Sequence, residues 1–177
     1  MIRMIRGRFL RTGDEMGDIF ALRERVFVEE LGLLDSAVRD EADEMAVYAL
    51  VFDEAEQAKA AGRLAIEDDR LSIGAVCVCP DARGQKLGDL VMRMLLVRVV
   101  EMEVPGVYVK TLPGALAFFQ RYGFRICEDA AQTHGAALQV LYASLEQIDI
   151  EGDCHRAGAE RDACGDCAAC GKPCHPR

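Results

Sequence analysis

The chain of 177 residues has no tryptophan, and its basic side chains are outnumbered by acidic ones, 21 against 30, for a formal charge of −9. Too few Lys and Arg exclude a general nucleic-acid binder, whose phosphate contacts need clustered cations. Partners are instead expected among small molecules or cations. Long apolar runs are missing as well. The most apolar stretch, residues 91–100, is broken by Arg93 and Arg98 and is far shorter than the roughly 20 residues that cross a bilayer. Arg3, Arg6 and Arg8 interrupt the apolar residues at the N-terminus, so no signal-peptide core forms there. No internal repeat is present. These absences predict a cytoplasmic protein that engages neither membrane nor nucleic acid.

What is present describes one globular domain and a tail. The length suits a single domain with a two-layer core, and 51% apolar with 29% charged residues rules out wholesale disorder. Five of the eight cysteines (Cys154, Cys164, Cys167, Cys170 and Cys174) fall after residue 150, where apolar periodicity stops. The chain therefore divides into a domain at 1–150 and a Cys-rich tail at 151–177. The acidity belongs to the domain, which has 17 basic and 25 acidic side chains (17 − 25 = −8), whereas the tail has 4 and 5 (−1).

Apolar patterning predicts strands at 2–10, 45–52, 60–66, 71–79, 107–110, 124–127 and 138–145. It predicts helices from Asp14 as N-cap to Glu30, from Lys86 to Glu103, and from Pro113 to Tyr122. Gly32 ends the first helix, and 33–44 is an acidic loop. The order β-α-β-β-β-α-β-α-β-β reads as an α/β protein with a mixed sheet and helices on both faces.

The segment richest in chemistry is Val76-Cys-Val-Cys-Pro80 followed by Arg83-Gly-Gln-Lys-Leu-Gly88. A strand that turns into a helix leaves outward-pointing amides at the helix start, a ready anion site. The plain alternative is a glycine-containing loop that caps a helix. The segment resembles the pyrophosphate loop of the GNAT superfamily of CoA-dependent N-acyltransferases, Arg/Gln-x-x-Gly-x-Gly/Ala after a strand ending Val-x-Val-x-Pro. Lys86 stands where that motif has its first glycine. Phe118-Phe-Gln-Arg-Tyr-Gly-Phe124 is similar to the family's Phe-Tyr-x-x-x-Gly-Phe segment. Leu22-Arg-Glu-Arg-Val-Phe27 and Asp40-Glu-Ala-Asp43 resemble one branch of the family. The resemblance spans about 145 residues and implies a GNAT fold with a mixed, mostly antiparallel sheet.

It further implies N-acetyl transfer from acetyl-CoA to a primary amine of a small or peptidic acceptor. The diphosphate would lie on the backbone of Arg83, Gly84, Gln85, Lys86, Leu87 and Gly88, with Arg83 as a charged lip. A β-bulge near Cys77 or Val78 would free an amide to stabilise the developing oxyanion, and Phe119 would contact the cosubstrate. Phe119 replaces the family's acidic tyrosine and Leu112 an asparagine often found seven residues before it. Tyr122 is then the candidate acid, with a packing tyrosine at the helix end as the plain alternative, and Glu29 the candidate base, beside Glu30 and an acidic loop of Asp40, Glu41, Asp43 and Glu44 that would draw in a cationic acceptor or is simply a solvated loop. Tyr48 takes a histidine's place in the related branch. With two family groups missing, a catalytically degenerate CoA-binding sensor is the second reading. Oligomeric state stays open, with a homodimer compatible.

Cys77, Cys79 and Cys127 read as small core residues. The tail spacing Cys164-x₂-Cys167-x₂-Cys170-x₃-Cys174 matches a ferredoxin-type run, with Cys154 as a further thiolate, so an iron–sulfur cluster is one reading. Zinc, with His155 and His175 nearby, is another, and a thiol-rich tail without metal a third. A metal or redox module carried on the acyltransferase fold is thus the remaining alternative.

Overall fold

The computed structural model describes residues 5–133 and 136–151. Its elements run β1 (Arg6–Arg11), α1 (Gly17–Arg23), β2 (Val47–Phe52), β3 (Ala58–Glu67), β4 (Arg70–Val78), α2 (Leu87–Glu101), β5 (Gly106–Thr111), α3 (Leu116–Gln120), β6 (Arg125–Thr133) and β7 (Ala136–Ser144). This is the order expected from the sequence. The strands form one seven-stranded sheet, β1-β2-β3-β4-β5-β7-β6. All neighbours are antiparallel except β4 and β5.

Alternation along β3 sorts the two faces. A Cβ at Gly62 would lie 2.7 Å from Val91 and 2.9 Å from Leu95 of α2, so the even positions face α2. Arg63 points the other way, to Asp43, which is paired with Arg23 at the end of α1. The two helices therefore cover opposite faces. Gly62 is required by this packing, because any side chain there would lift α2 off the sheet. The core is built from fully buried Leu50, Ile73, Val91, Met92, Leu95, Val107, Val109 and Leu141.

The first helix departs from expectation at its start. Asp14 accepts a hydrogen bond from the Arg11 amide at 2.7 Å and closes a turn, and Met16 takes the N-cap position. From Glu24 to Glu30 the helix widens to π turns, as the bond from the Leu31 amide to the Val26 carbonyl shows. Such turns collect at functional sites. Gly32, at φ +66°, turns the chain away after Glu30.

Candidate active site

β4 is interrupted where it approaches α2. Arg63 pairs with Gly74 and Ala61 with Cys77, so Ala75 and Val76 together face Gly62 alone. Ala75 has φ +49°. This bulge lies just before Cys77 and Val78, one to three residues upstream of its expected place, and Val76 packs against the bare face of Gly62, where a Cβ would lie 3.3 Å from it. A residue left out of the ladder turns its amide away from the neighbouring strand. On the other side, the parallel ladder to β5 joins Ser72 to Tyr108 and Ile73 to Val109 and stops, while β5 continues along β7 through Thr111. β4 beyond Ile73 thus presents an unpaired edge toward β5 among the described residues.

At the end of this edge the chain makes a short turn at Pro80–Ala82 and enters the loop 83–86 before α2. Leu90 is the helical residue whose amide reaches the Lys86 carbonyl, at 3.1 Å. The amides of Leu87, Gly88 and Asp89 precede it and have no acceptor one turn back. Gly84 has φ +75° and nothing within 4 Å of the place a Cβ would occupy, so its backbone is open to a ligand. Lys86, the N-cap of α2, has φ +61° and ψ +22°. That is the left-handed region, which explains the family's preference for glycine at this place: a lysine accepts it at about 1–2 kcal/mol. Lys86 is exposed. Gly88 is wedged in, with Val78 and Phe118 at 3.3 and 3.5 Å from a Cβ there, which seats the start of α2 against the end of β4.

Arg83 does not extend freely over the loop. Its two terminal nitrogens hold both oxygens of Glu30 at 2.7 and 2.6 Å, and Nε lies 3.4 Å from the Val78 carbonyl. The guanidinium keeps the Glu30 carboxyl below its ordinary range. The clasp fixes the end of the first helix beside the end of β4, so Glu29, which is exposed, is brought to the same region. A depression of about 360 Å³ also borders the loop at Gln85 and Leu87. Asp53, Glu54 and Asp81 line it against Lys59, and Lys59 is itself paired to Asp81 at 2.9 Å. Carboxylates prevail there, the wrong sign for a diphosphate.

The aromatic segment differs from expectation. Phe119 is buried, edge-on to Phe118 and Phe124, and packs in the core. Phe118 is the ring that reaches Gly88 and the end of β4. Tyr122 is fully buried, and its hydroxyl donates to Asp89 Oδ1 at 2.5 Å. Arg121 holds the same oxygen at 2.8 Å. Burial first, then this carboxylate, raise the Tyr122 phenol above its ordinary range. Its proton is committed to Asp89 in the first turn of α2.

The acidic loop is also placed differently from an open rim. Asp40 and Asp43 form a capping box, with Asp40 Oδ1 accepting from the Ala42 amide and Asp43 Oδ2 from the Asp40 amide, both at 3.0 Å. Asp43 is buried between Arg23 at 2.9 Å and Arg63 at 2.9 Å, and Tyr48 donates to it at 2.7 Å. Arg63 also holds Asp40 at 2.5 Å and Glu67 at 2.7 Å. Burial alone would raise the Asp43 carboxyl; the charges of Arg23 and Arg63 outweigh it and bring the group down to about 2. Tyr48 is thus a buried donor, and of the four acids Asp40, Glu41, Asp43 and Glu44 only Glu41 and Glu44 are exposed. Sequence patterning missed this cluster, although Arg63 amid the small residues of β3 and Arg23 beside Ile19 and Leu22 were its signals.

Cys77 and Cys79 are buried, as expected of core residues, and burial pushes the Cys77 thiol up to about 12. Cys127 is exposed, contrary to the core reading, because it sits at a register shift in β6, one of the sheet's two edge strands. Cys154, Cys164, Cys167, Cys170 and Cys174 lie outside the described residues. Among the described residues no group of three His, Cys, Asp or Glu side chains is placed to hold a metal, and no helix is long and apolar enough to cross a membrane.

A parallel strand pair that opens beside a strand–loop–helix anion cradle is the frame of the acyl-CoA N-acyltransferase fold. Solved structures agree. The chain is similar to an acyl-CoA N-acyltransferase from Pseudomonas aeruginosa (TM-score 0.68, 21% identity, 79% of this chain and 99% of that one) and to Escherichia coli ElaA (TM-score 0.67, 21% identity, 79% and 99%). By sequence it is similar to YjcF of Bacillus subtilis, an uncharacterized N-acetyltransferase, at 24% identity over 119 residues, 67% of this chain and 84% of YjcF. Residues 25–141 match the acetyltransferase (GNAT) domain. The chain belongs to the GNAT acetyltransferase family.

Proposed function

We propose that the chain transfers the acetyl group of acetyl-CoA to a primary amine of a small or peptidic acceptor. The observation that carries this reading is the continuity of the free β4 edge, from the bulge at Ala75 and Val76, with the outward amides of Leu87 and Gly88. An extended pantetheine arm pairs along that edge, the diphosphate rests on the loop 84–88 with Lys86 above it, and the acyl carbonyl reaches the bulge. The unladdered amide there stabilises the oxyanion.

The neutral amine attacks the carbonyl carbon and its nitrogen forms the new bond. Collapse of the tetrahedral intermediate breaks the carbon–sulfur bond, and CoA leaves as thiolate. The proton lost by the nitrogen passes through water to the exposed Glu29, and the thiolate takes a proton from solvent. Phe119 has no proton to give, and that of Tyr122 is held by Asp89. In this reading Tyr122 anchors the start of α2.

Thiol release from acetyl-CoA over a panel of amines tests the proposal. Turnover with at least one primary amine is expected. Tight CoA binding with no release across the panel would instead support a sensor.

A further inference from the structure

We infer that Glu30 is a built-in competitor of the cosubstrate: its carboxylate occupies the Arg83 fork that a diphosphate would otherwise take, and binding of the diphosphate exchanges one anion for the other. The inference rests on the CoA reading above and adds a regulation to it.

Both terminal nitrogens of Arg83 are engaged by Glu30 at 2.7 and 2.6 Å, and Nε faces the Val78 carbonyl. A carboxylate paired in this bidentate way fills the end-on fork between the two terminal nitrogens and leaves a second anion only the outer N–H of each. The pairing is between elements 53 residues apart in sequence, so it ties the end of the first helix to the loop. It is also half-open to solvent, with side-chain exposures of 48% for Arg83 and 33% for Glu30. A pair in that setting is worth little and exchanges readily. The loop's other cation, Lys86, is exposed and has no carboxylate partner among the described residues. A diphosphate arriving at the loop therefore meets one free cation and one already neutralised. When it displaces Glu30, the clasp between loop and first helix opens, and a carboxylate is released beside Glu29, where an amine acceptor would enter. Glu30 thus acts through Arg83, as a positioning residue, and couples the two halves of the site.

The test is calorimetric titration of the full chain, its Glu30→Gln and Arg83→Gln variants and the double variant, with CoA, dephospho-CoA and acetyl-pantetheine. Glu30→Gln removes the competing charge and is expected to tighten CoA about two- to five-fold, the worth of an exposed ion pair. Dephospho-CoA, which keeps the diphosphate, should show the same gain, and acetyl-pantetheine, which lacks it, none. Arg83→Gln should weaken CoA and cancel the effect of Glu30→Gln in the double variant. Unchanged or weaker CoA binding by Glu30→Gln overturns the inference, as does an equal gain for acetyl-pantetheine, which a merely loosened cleft would produce. A gain for CoA that is lost with dephospho-CoA would also overturn it by assigning the effect to the 3′-phosphate. If the unaltered chain binds no CoA at all, the underlying reading fails, an outcome distinct from the others.

Discussion

Tyr122→Phe separates an anchoring tyrosine from an acid. The substitution deletes one hydroxyl and keeps the ring, with its edge-on contact to Phe118 at 5.6 Å between centroids. The lost bond is to a carboxylate, and such bonds contribute about 1.5–3 kcal/mol. Asp89 keeps Arg121 at 2.8 Å, so its charge is not orphaned and the lower end of that range applies, about 1.5–2 kcal/mol. For a domain of this size the melting temperature should fall by about 3–8 °C. An acid that protonates the leaving thiolate would instead be worth about 10²–10⁴ in rate. Thermal melting monitored by circular dichroism, together with kcat at saturating acetyl-CoA well below the melt, reads both quantities. The structure predicts a lowered melt and a kcat within about three-fold of the unaltered chain, far from the effect of a general acid. An unchanged melt with kcat reduced about a hundred-fold or more would refute the reasoning and return Tyr122 to acid duty.

Asp43 is held down to about 2 from an ordinary 3.8. Its contribution, about 2 kcal/mol, is complete above the unfolded pKa and is lost as pH falls from about 4 to about 2. Urea titrations across that range should show the loss, and Asp43→Asn, which leaves Arg23 and Arg63 without this countercharge, should cost about 3–5 kcal/mol at neutral pH. Wild-type stability that is flat down to pH 2 would contradict this. Lys86→Gly relieves a left-handed lysine and should raise stability by about 1 kcal/mol while weakening CoA; equal affinity would remove Lys86 from phosphate binding. Among the described cysteines, brief alkylation of the native protein should label Cys127 and spare Cys77 and Cys79, as peptide mass mapping would show. Replacing Cys164, Cys167, Cys170 and Cys174 together by Ser should leave acetyl-CoA affinity unchanged, since the loop proposed to hold CoA lies wholly within 83–88; a loss of binding would tie the tail to the site.

The order of elements was legible because strands and helices are patterned differently: short apolar runs bounded by polar turns along β2 and β3, and the i, i+3, i+4 repeat of Leu87, Leu90, Val91, Met94 and Leu95 in α2. The loop before α2 was legible as a motif of glycines, and its departure at Lys86 turned out to occupy the very backbone conformation that asks for glycine. What stayed hidden depends on contacts distant in sequence. Nothing near Arg83 announces Glu30, and nothing near Tyr122 announces that Asp89, one helix away, accepts its hydrogen bond. Asp40 and Asp43 looked like an open acidic loop because local sequence cannot show that Arg23 and Arg63 are buried beneath them. Phe118 and Phe119 are adjacent, and only the rotation of a five-residue helix decides which one faces the cleft.

The central claim, that a cosubstrate's diphosphate rests on the open backbone at Gly84, is tested most directly by a pair of near-isosteric replacements. Asn and Asp both tolerate a left-handed backbone, and nothing lies within 4 Å of a Cβ at Gly84. Gly84→Asn and Gly84→Asp therefore differ at that position only in charge. Titration with acetyl-CoA should find measurable binding in the Asn variant and binding at least about ten-fold weaker in the Asp variant, a gap that narrows as salt is raised. Equal affinities for the two would contradict a diphosphate site on this loop.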